Sequence, residues 1–257
     1  MLRINKLTVK YGNLLAVKGA TIHVGASEIV AVVGPNGAGK TSLAKGIVGL
    51  TSASGEVSVE GDSGYERLNG RPAWAIARAG ILYVPETRIA FDTLSVEDNL
   101  KIALSAFRVS SQLQQRAFRS IWEKFPLIRD RSRQRAGTLS GGEKRTLAIA
   151  RAVLLMDILD ALNHRSSSHF RLLILDEPTH GLHPASVTCL TQLLTDLNRA
   201  GISILLVEQM ASFALGTSSR GYLMREGEVI LEGASDQLLK NPDLADLYLG
   251  IPGENTV

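Results

Sequence analysis

Three nearly unbroken apolar runs interrupt a chain otherwise patterned for helices: Val30-Ala-Val-Val33, Leu172-Leu-Ile-Leu175 and Ile202-Ser-Ile-Leu-Leu-Val207. Runs this short, with little polar alternation, predict strands buried on both faces. Each stops at a glycine or at polar residues: Gly34, Asp176-Glu177 and Glu208-Gln209. Helical spacing follows the first run from Thr41, at Leu43, Ile47 and Leu50, and precedes the third between Ser186 and Arg199. Strands alternating with helices predict an α/β fold whose parallel sheet is covered on both sides, with ligands bound at the carboxyl ends of its strands.

Between the first two runs the pattern is helical. Ser95-Val-Glu-Asp98 predicts an N-cap opening one helix. Leu113, Ala117 and Ile121, beside Phe118, Trp122 and Phe125, form neighbouring stripes of a second helix that Pro126 should stop. Residues 86–157 therefore read as a mainly helical lobe inserted into the α/β core of one domain spanning 1–257. The polar stretch Asn163-His-Arg-Ser-Ser-Ser-His169 reads as a surface loop, and residues 220–257 as a hairpin (Gly221 to Met224, Glu228 to Glu232) followed by short helices.

Composition narrows the class. A hydrophobic content of 45% over 257 residues can fill a core and argues against disorder. One cysteine, Cys189, rules out a disulfide framework and suits a reducing cytosol. No apolar run approaches the ~18 residues of a membrane span, and Met1-Leu-Arg-Ile-Asn lacks a signal-peptide core. The chain is expected to be soluble, with any membrane connection made through a partner. Its net charge of +3 includes one dense run, Arg129-Asp-Arg-Ser-Arg-Gln-Arg135, which reads as a solvated connecting face rather than a nucleic-acid patch.

Gly34-Pro-Asn-Gly-Ala-Gly-Lys-Thr-Ser42 fits the P-loop pattern in full, with a strand before it and a helix after. Glycines let consecutive N–H groups converge on phosphate oxygens, and a helix N-terminus adds a favourable dipole. Lys40 would reach the β- and γ-phosphates of ATP, and the Thr41 hydroxyl would ligate Mg²⁺. Asp176 emerges from a buried strand where it can position that ion, and Glu177 is the candidate base or water-orienting group for attack on the γ-phosphate. Downstream, Leu139-Ser-Gly-Gly-Glu143 reads as a capping box, Ser140 with Glu143, for a helix from Lys144 to Leu155. A capped, glycine-rich helix start is also an anion site, so the capping and phosphate-binding readings are compatible.

The P-loop, Leu139-Ser-Gly-Gly-Glu143 and Leu172-Leu-Ile-Leu-Asp-Glu-Pro178, in that order, resemble the ATP-binding subunit of ATP-binding-cassette (ABC) transporters over essentially the whole chain. The resemblance implies a P-loop ATPase core, an N-terminal antiparallel β subdomain and a helical lobe. It also implies a second ATPase subunit, paired head to tail, so that Leu139, Ser140, Gly141, Gly142 and Glu143 close on the nucleotide of the neighbour. Separate transmembrane permease subunits would complete the assembly at the cytoplasmic face of the inner membrane, with neither nucleic acid nor cargo touching this chain. Tyr11, before Gly12, matches the adenine-stacking aromatic of the family.

Val84-Pro-Glu86, Leu94-Ser-Val-Glu-Asp-Asn-Leu100, Val207-Glu-Gln209 and Tyr248-Leu-Gly250 are similar to the ATPase subunits of branched-chain amino-acid importers. Urea importers and the lipopolysaccharide-export ATPase share much of that pattern. Where most ABC members carry a Mg²⁺-sensing glutamine this chain has Glu86, and where most carry a histidine on the γ-phosphate it has Gln209. A carboxylate suits Mg²⁺, and an amide still donates to phosphate but carries no proton. Thr87 and Ile89 also depart from the family, and Ile158 to His169 reads as an insertion. His180 and His183, with no cysteine or second histidine pair nearby, read as loop residues at the subunit contact rather than a metal site.

Overall fold

In the computed structural model, residues 1–61, 64–87, 89–105, 107–162, 170–241 and 244 are described. The apolar runs form the middle of a sheet. β1 (Leu2–Tyr11) and β2 (Leu14–Val24) make a hairpin, and β3 (Ile29–Val33) runs into the glycine-rich loop before α1 (Lys40–Ile47). β4 (Ala53–Gly61), β5 (Gly64–Arg67), α2 (Ala73–Arg78) and β6 (Ile81–Val84) follow. Four helices come next: α3 (Val96–Ile102), α4 (Ser111–Lys124), α5 (Pro126–Asp130) and α6 (Gly141–Leu162). Then β7 (Leu172–Asp176), α7 (Pro184–Arg199), β8 (Ser203–Glu208) and α8 (Ala211–Thr217) complete the αβ core. β9 (Arg220–Arg225), β10 (Glu228–Ala234) and α9 (Ser235–Leu239) close the described chain.

The larger sheet has the order β10-β9-β3-β8-β7-β6, parallel except for the antiparallel β9–β10 hairpin. Every residue of β3, β7 and β8 is buried, as runs without polar alternation require of a sheet covered on both faces. Burying each valine, leucine or isoleucine among them contributes about 1.5–3 kcal/mol relative to leaving it in water. One apolar layer packs α3 to α8 against one face; the other packs α1 and the antiparallel sheet β2-β1-β4-β5 against the opposite face. The antiparallel sheet carries Tyr11 at the end of β1, where it pairs with Leu14 across a two-residue turn.

Local signals account for most element ends. Ser95 Oγ accepts the Asp98 N–H at 3.0 Å and caps α3. Pro126 ends α4 and, at the first turn of the next segment, opens α5. Glu226 and Gly227, both at positive φ, form the turn between β9 and β10. Two helix readings shift. α1 stops at Ile47, with Gly49 in the left-handed region, so Leu50 lies beyond the helix and is 55% exposed instead of continuing the buried stripe. α6 starts earlier and runs later than Lys144 to Leu155, reaching Leu162; residues 163–169 and Tyr248-Leu-Gly250 lie outside the described residues.

Candidate functional site

β3 delivers the glycine-rich loop to the carboxyl edge of the parallel sheet. Gly39 has φ 97, and a Cβ there would lie 2.3 Å from the Ala16 carbonyl oxygen, so the loop can pass beneath β2 only with glycine. α1 begins at the next residue. Lys40 is 3% exposed; its Nζ donates to the carbonyls of Gly34 (2.9 Å) and Pro35 (3.0 Å) and lies 3.3 Å from Glu177 Oε1. Asp176, at the end of β7, accepts from Thr41 Oγ1 at 3.0 Å and from the Tyr83 hydroxyl at 2.7 Å. Burial pushes the Asp176 carboxyl above its ordinary range against the two hydroxyl donors, and burial beside that carboxylate pushes the Tyr83 phenol up as well.

Glu177 leaves the strand at φ 44, a left-handed conformation that a residue with a Cβ seldom adopts, and its N–H donates to the Val207 carbonyl at 2.7 Å. The turn aims its carboxylate at Lys40 and His180. His180 Nδ1 lies 2.6 Å from Glu86 Oε1 and 3.8 Å from Glu177 Oε2. Arg145, buried on α6, donates to the carbonyls of Pro85 (2.8 Å), Glu86 (3.0 Å) and Glu177 (3.4 Å), and so fixes two strand-end loops from beneath. Glu208, also buried, accepts the N–H and hydroxyl of Thr179 at 2.8 and 2.6 Å and the N–H groups of Gln209 and Met210 at 3.0 and 3.2 Å.

Lys40, Thr41, Glu177 and His180 border a cavity of about 730 Å³, with Asp176, Tyr83, Arg145 and Glu208 set behind its wall. Tyr11, Asn36, Gly37, Gly39, Lys40, Thr41, Ser42, Glu86, Glu177 and Gln209, all candidates from the sequence, line it. Gly34, Pro35 and Ala38 stand behind: a Cβ on Gly34 would lie 2.2 Å from the Met224 carbonyl oxygen, and Ala38 is buried. His180, read from the sequence as a loop residue at the subunit contact, also borders the cavity, as does the Glu226–Gly227 turn, which carries no motif. Tyr83 and Glu208 were also missed, because each lies within or at the end of an apolar run, and Arg145 because it sits among the polar residues Glu143 to Thr146. Thr41 and Asp176 present adjacent hard oxygen donors of the kind Mg²⁺ takes, so these residues fit that ion. Glu86 faces His180 and Glu177.

None of Leu139, Ser140, Gly141, Gly142 or Glu143 lines the cavity. They form the start of α6, where Ser140 N–H donates to Glu143 Oε2 at 2.8 Å and Glu143 N–H to Ser140 Oγ at 3.3 Å, both halves of a capping box. Arg131 holds Glu143 from the side at 2.7 Å, and Arg129 pairs with Asp130, so part of the basic run is spent within the chain. Leu139 is buried, whereas Ser140 is exposed.

A glycine loop between a parallel strand and a helix, with Asp176 and Glu177 at the end of β7, two strands away in the same sheet, defines a P-loop nucleotide-site architecture. The family model described as "ABC transporter" matches residues 17–180. The chain belongs to that family. It is 37% identical to the high-affinity branched-chain amino acid transport ATP-binding protein BraG of Pseudomonas aeruginosa, covering 97% of this chain and 100% of the relative. It is 34% identical to the probable branched-chain amino acid transport ATP-binding protein LivF of Archaeoglobus fulgidus, over 98% and 99% of the two chains. Its fold superposes with a TM-score of 0.82 on the ADP conformation of an ATP-binding cassette of an ABC transporter, at 24% identity, over 97% of this chain and 98% of the other.

Proposed function

We propose that the chain is the ATP-binding and ATP-hydrolysing subunit of an ABC importer for branched-chain or other hydrophobic amino acids. The observation that carries this is the meeting of Lys40, Thr41, Asp176 and Glu177 at one edge of the sheet, beside a cavity that the Leu139–Glu143 segment does not reach. Gly34 to Ser42 would cradle the phosphates, with Tyr11 stacking on adenine. Thr41 and Asp176, with Glu86, would hold Mg²⁺, which neutralises charge developing on the phosphates. Glu177 would orient or deprotonate the attacking water, and Gln209 would donate to the γ-phosphate. The 139–143 segment would serve the site of a second ATPase subunit.

An apolar groove of about 380 Å³, lined by Leu50, Phe91, Ile102 and Leu155 among others, lies on the lobe side of β6, with Arg151 over the Phe91 ring. Exposed apolar surface of this kind suits docking of a permease loop, placing the subunit at the cytoplasmic face of the membrane. Among the described residues no helix is long and apolar enough to cross a membrane, so the membrane part would be supplied by partners. The amino-acid cargo is supported by the names of the relatives. Co-purification with integral membrane subunits, followed by uptake of labelled leucine, isoleucine and valine in a deletion strain, tests the reading. A chain that associates with no membrane protein would overturn it.

A further inference from the structure

Two loops that leave neighbouring strands converge on one histidine. β6 and β7 are parallel neighbours, with Val84 opposite Leu175, so the loops after them emerge side by side. The first carries Glu86; the second carries Glu177 and His180. One ligand atom from each of these three residues lies within 4.8 Å of the others. The pair distances are 2.6 Å for His180 Nδ1 to Glu86 Oε1 and 3.8 Å for His180 Nδ1 to Glu177 Oε2. Those values bracket the ~3.3 Å edge expected between ligands on a tetrahedral ion with bonds of about 2.0 Å.

The backbone beneath is fixed before any ion arrives. Arg145 holds the Glu86 and Glu177 carbonyls, Glu177 N–H is tied to Val207, and His180 N–H closes a turn on the Glu177 carbonyl at 3.1 Å. Lys40 sits at the other carboxylate oxygen of Glu177, Oε1, which leaves Oε2 on the side facing His180. The imidazole is 62% exposed, so water has room to complete a coordination shell.

The geometry points to a binding site for a transition-metal dication of the Zn²⁺ class, held by Glu86, Glu177 and His180 in the nucleotide-free chain. One imidazole and two carboxylates select such an ion over Mg²⁺, which prefers oxygen alone. This position differs from the Thr41–Asp176 pair assigned to Mg²⁺, although Glu86 belongs to both. An ion bound here occupies the carboxylate of Glu177, so metal loading and hydrolysis become mutually exclusive; that consequence, unlike the binding itself, rests on the proposed ATPase function.

The test uses the full chain without nucleotide, titrated with Zn²⁺ against a chromophoric chelator and separately with Co²⁺ followed by visible absorption. The parent takes up one ion at the site; His180→Ala weakens binding by at least about tenfold, the scale of losses seen even for supporting groups around a metal, and removes the Co²⁺ band. Glu86→Gln weakens it too, whereas His183→Ala leaves both readouts unchanged. His180 is exposed, and matching thermal unfolding of parent and His180→Ala confirms that the fold persists. Parent-like metal affinity in His180→Ala, or a parent that takes up no Zn²⁺, overturns the site. Fluorescent-nucleotide binding, measured on the same preparations, tests the ATPase reading separately.

Discussion

Asp176 and Glu177 are adjacent in sequence but sit in different physical settings. Asp176 is 1% exposed and has two hydroxyl donors with no cation in contact among the described residues, so burial holds its carboxyl above the ordinary value of 3.8. Once the pH passes that value, the unfolded chain has released a proton that the folded chain still keeps. Stability from this position is therefore full below 3.8 and is lost as the pH rises through the raised value. Asp176→Asn removes the ionisation, and both hydroxyl partners can rotate to suit an amide. The variant should gain stability relative to the parent as pH rises from 4 towards 8, measured without nucleotide by urea unfolding. A constant difference across that range would refute the assignment. Glu177 makes a different prediction under the proposed function, because its left-handed turn sets its carboxylate beside Lys40. Glu177→Gln should retain ATP binding in an equilibrium assay and lose on the order of 10²- to 10⁴-fold in turnover.

At the scale of elements, hydrophobic pattern alone located β3, β7, β8 and α7, because strands covered on both faces have no polar partner positions to blur the signal. It failed where long-range contact decides the outcome. Leu50 continues the apolar spacing of α1, yet the chain turns at Gly49 and turns Leu50 into a groove wall. Glu86 and His180 are joined only because β6 and β7 pair, a register that no local pattern reveals. Glu208 shows the same limit. It ends an apolar run and looks like a simple strand exit, but it ties the Thr179 turn to the start of α8 through four donors, three of them backbone N–H groups. Those N–H groups cannot reverse. Glu208→Gln would set an amide donor against at least one of them and should cost about 1–3 kcal/mol in chemical denaturation, the range for a buried polar group left unsatisfied. Asp176→Asn, by contrast, faces hydroxyls that can rotate.

At the scale of the whole molecule, the two glycine-rich segments lie in separate places: Gly34 to Ser42 borders the cavity and Leu139 to Glu143 does not. A chain that carries both but brings only one to its own cavity is half of a two-chain site, if the second segment serves phosphate at all. Gly141 separates that role from simple capping. A Cβ there meets only Leu182 at 3.7 Å and the Gly181 carbonyl at 3.9 Å, so a side chain fits without strain. A carboxylate in the first turn of α6 also favours the helix, by roughly 0.3–1 kcal/mol. Gly141→Asp should therefore keep the parent's unfolding temperature and its affinity for ATP as an isolated chain. In the assembled complex the same carboxylate would face the phosphates held by the neighbouring subunit, and turnover should fall by at least about tenfold, a repulsion of roughly 1.4 kcal/mol in the closed state. Parent-level turnover of the assembled variant would leave Leu139–Glu143 as a helix cap and nothing more. Loss of ATP affinity in the isolated chain would instead place the segment at its own P-loop, contrary to the geometry described above.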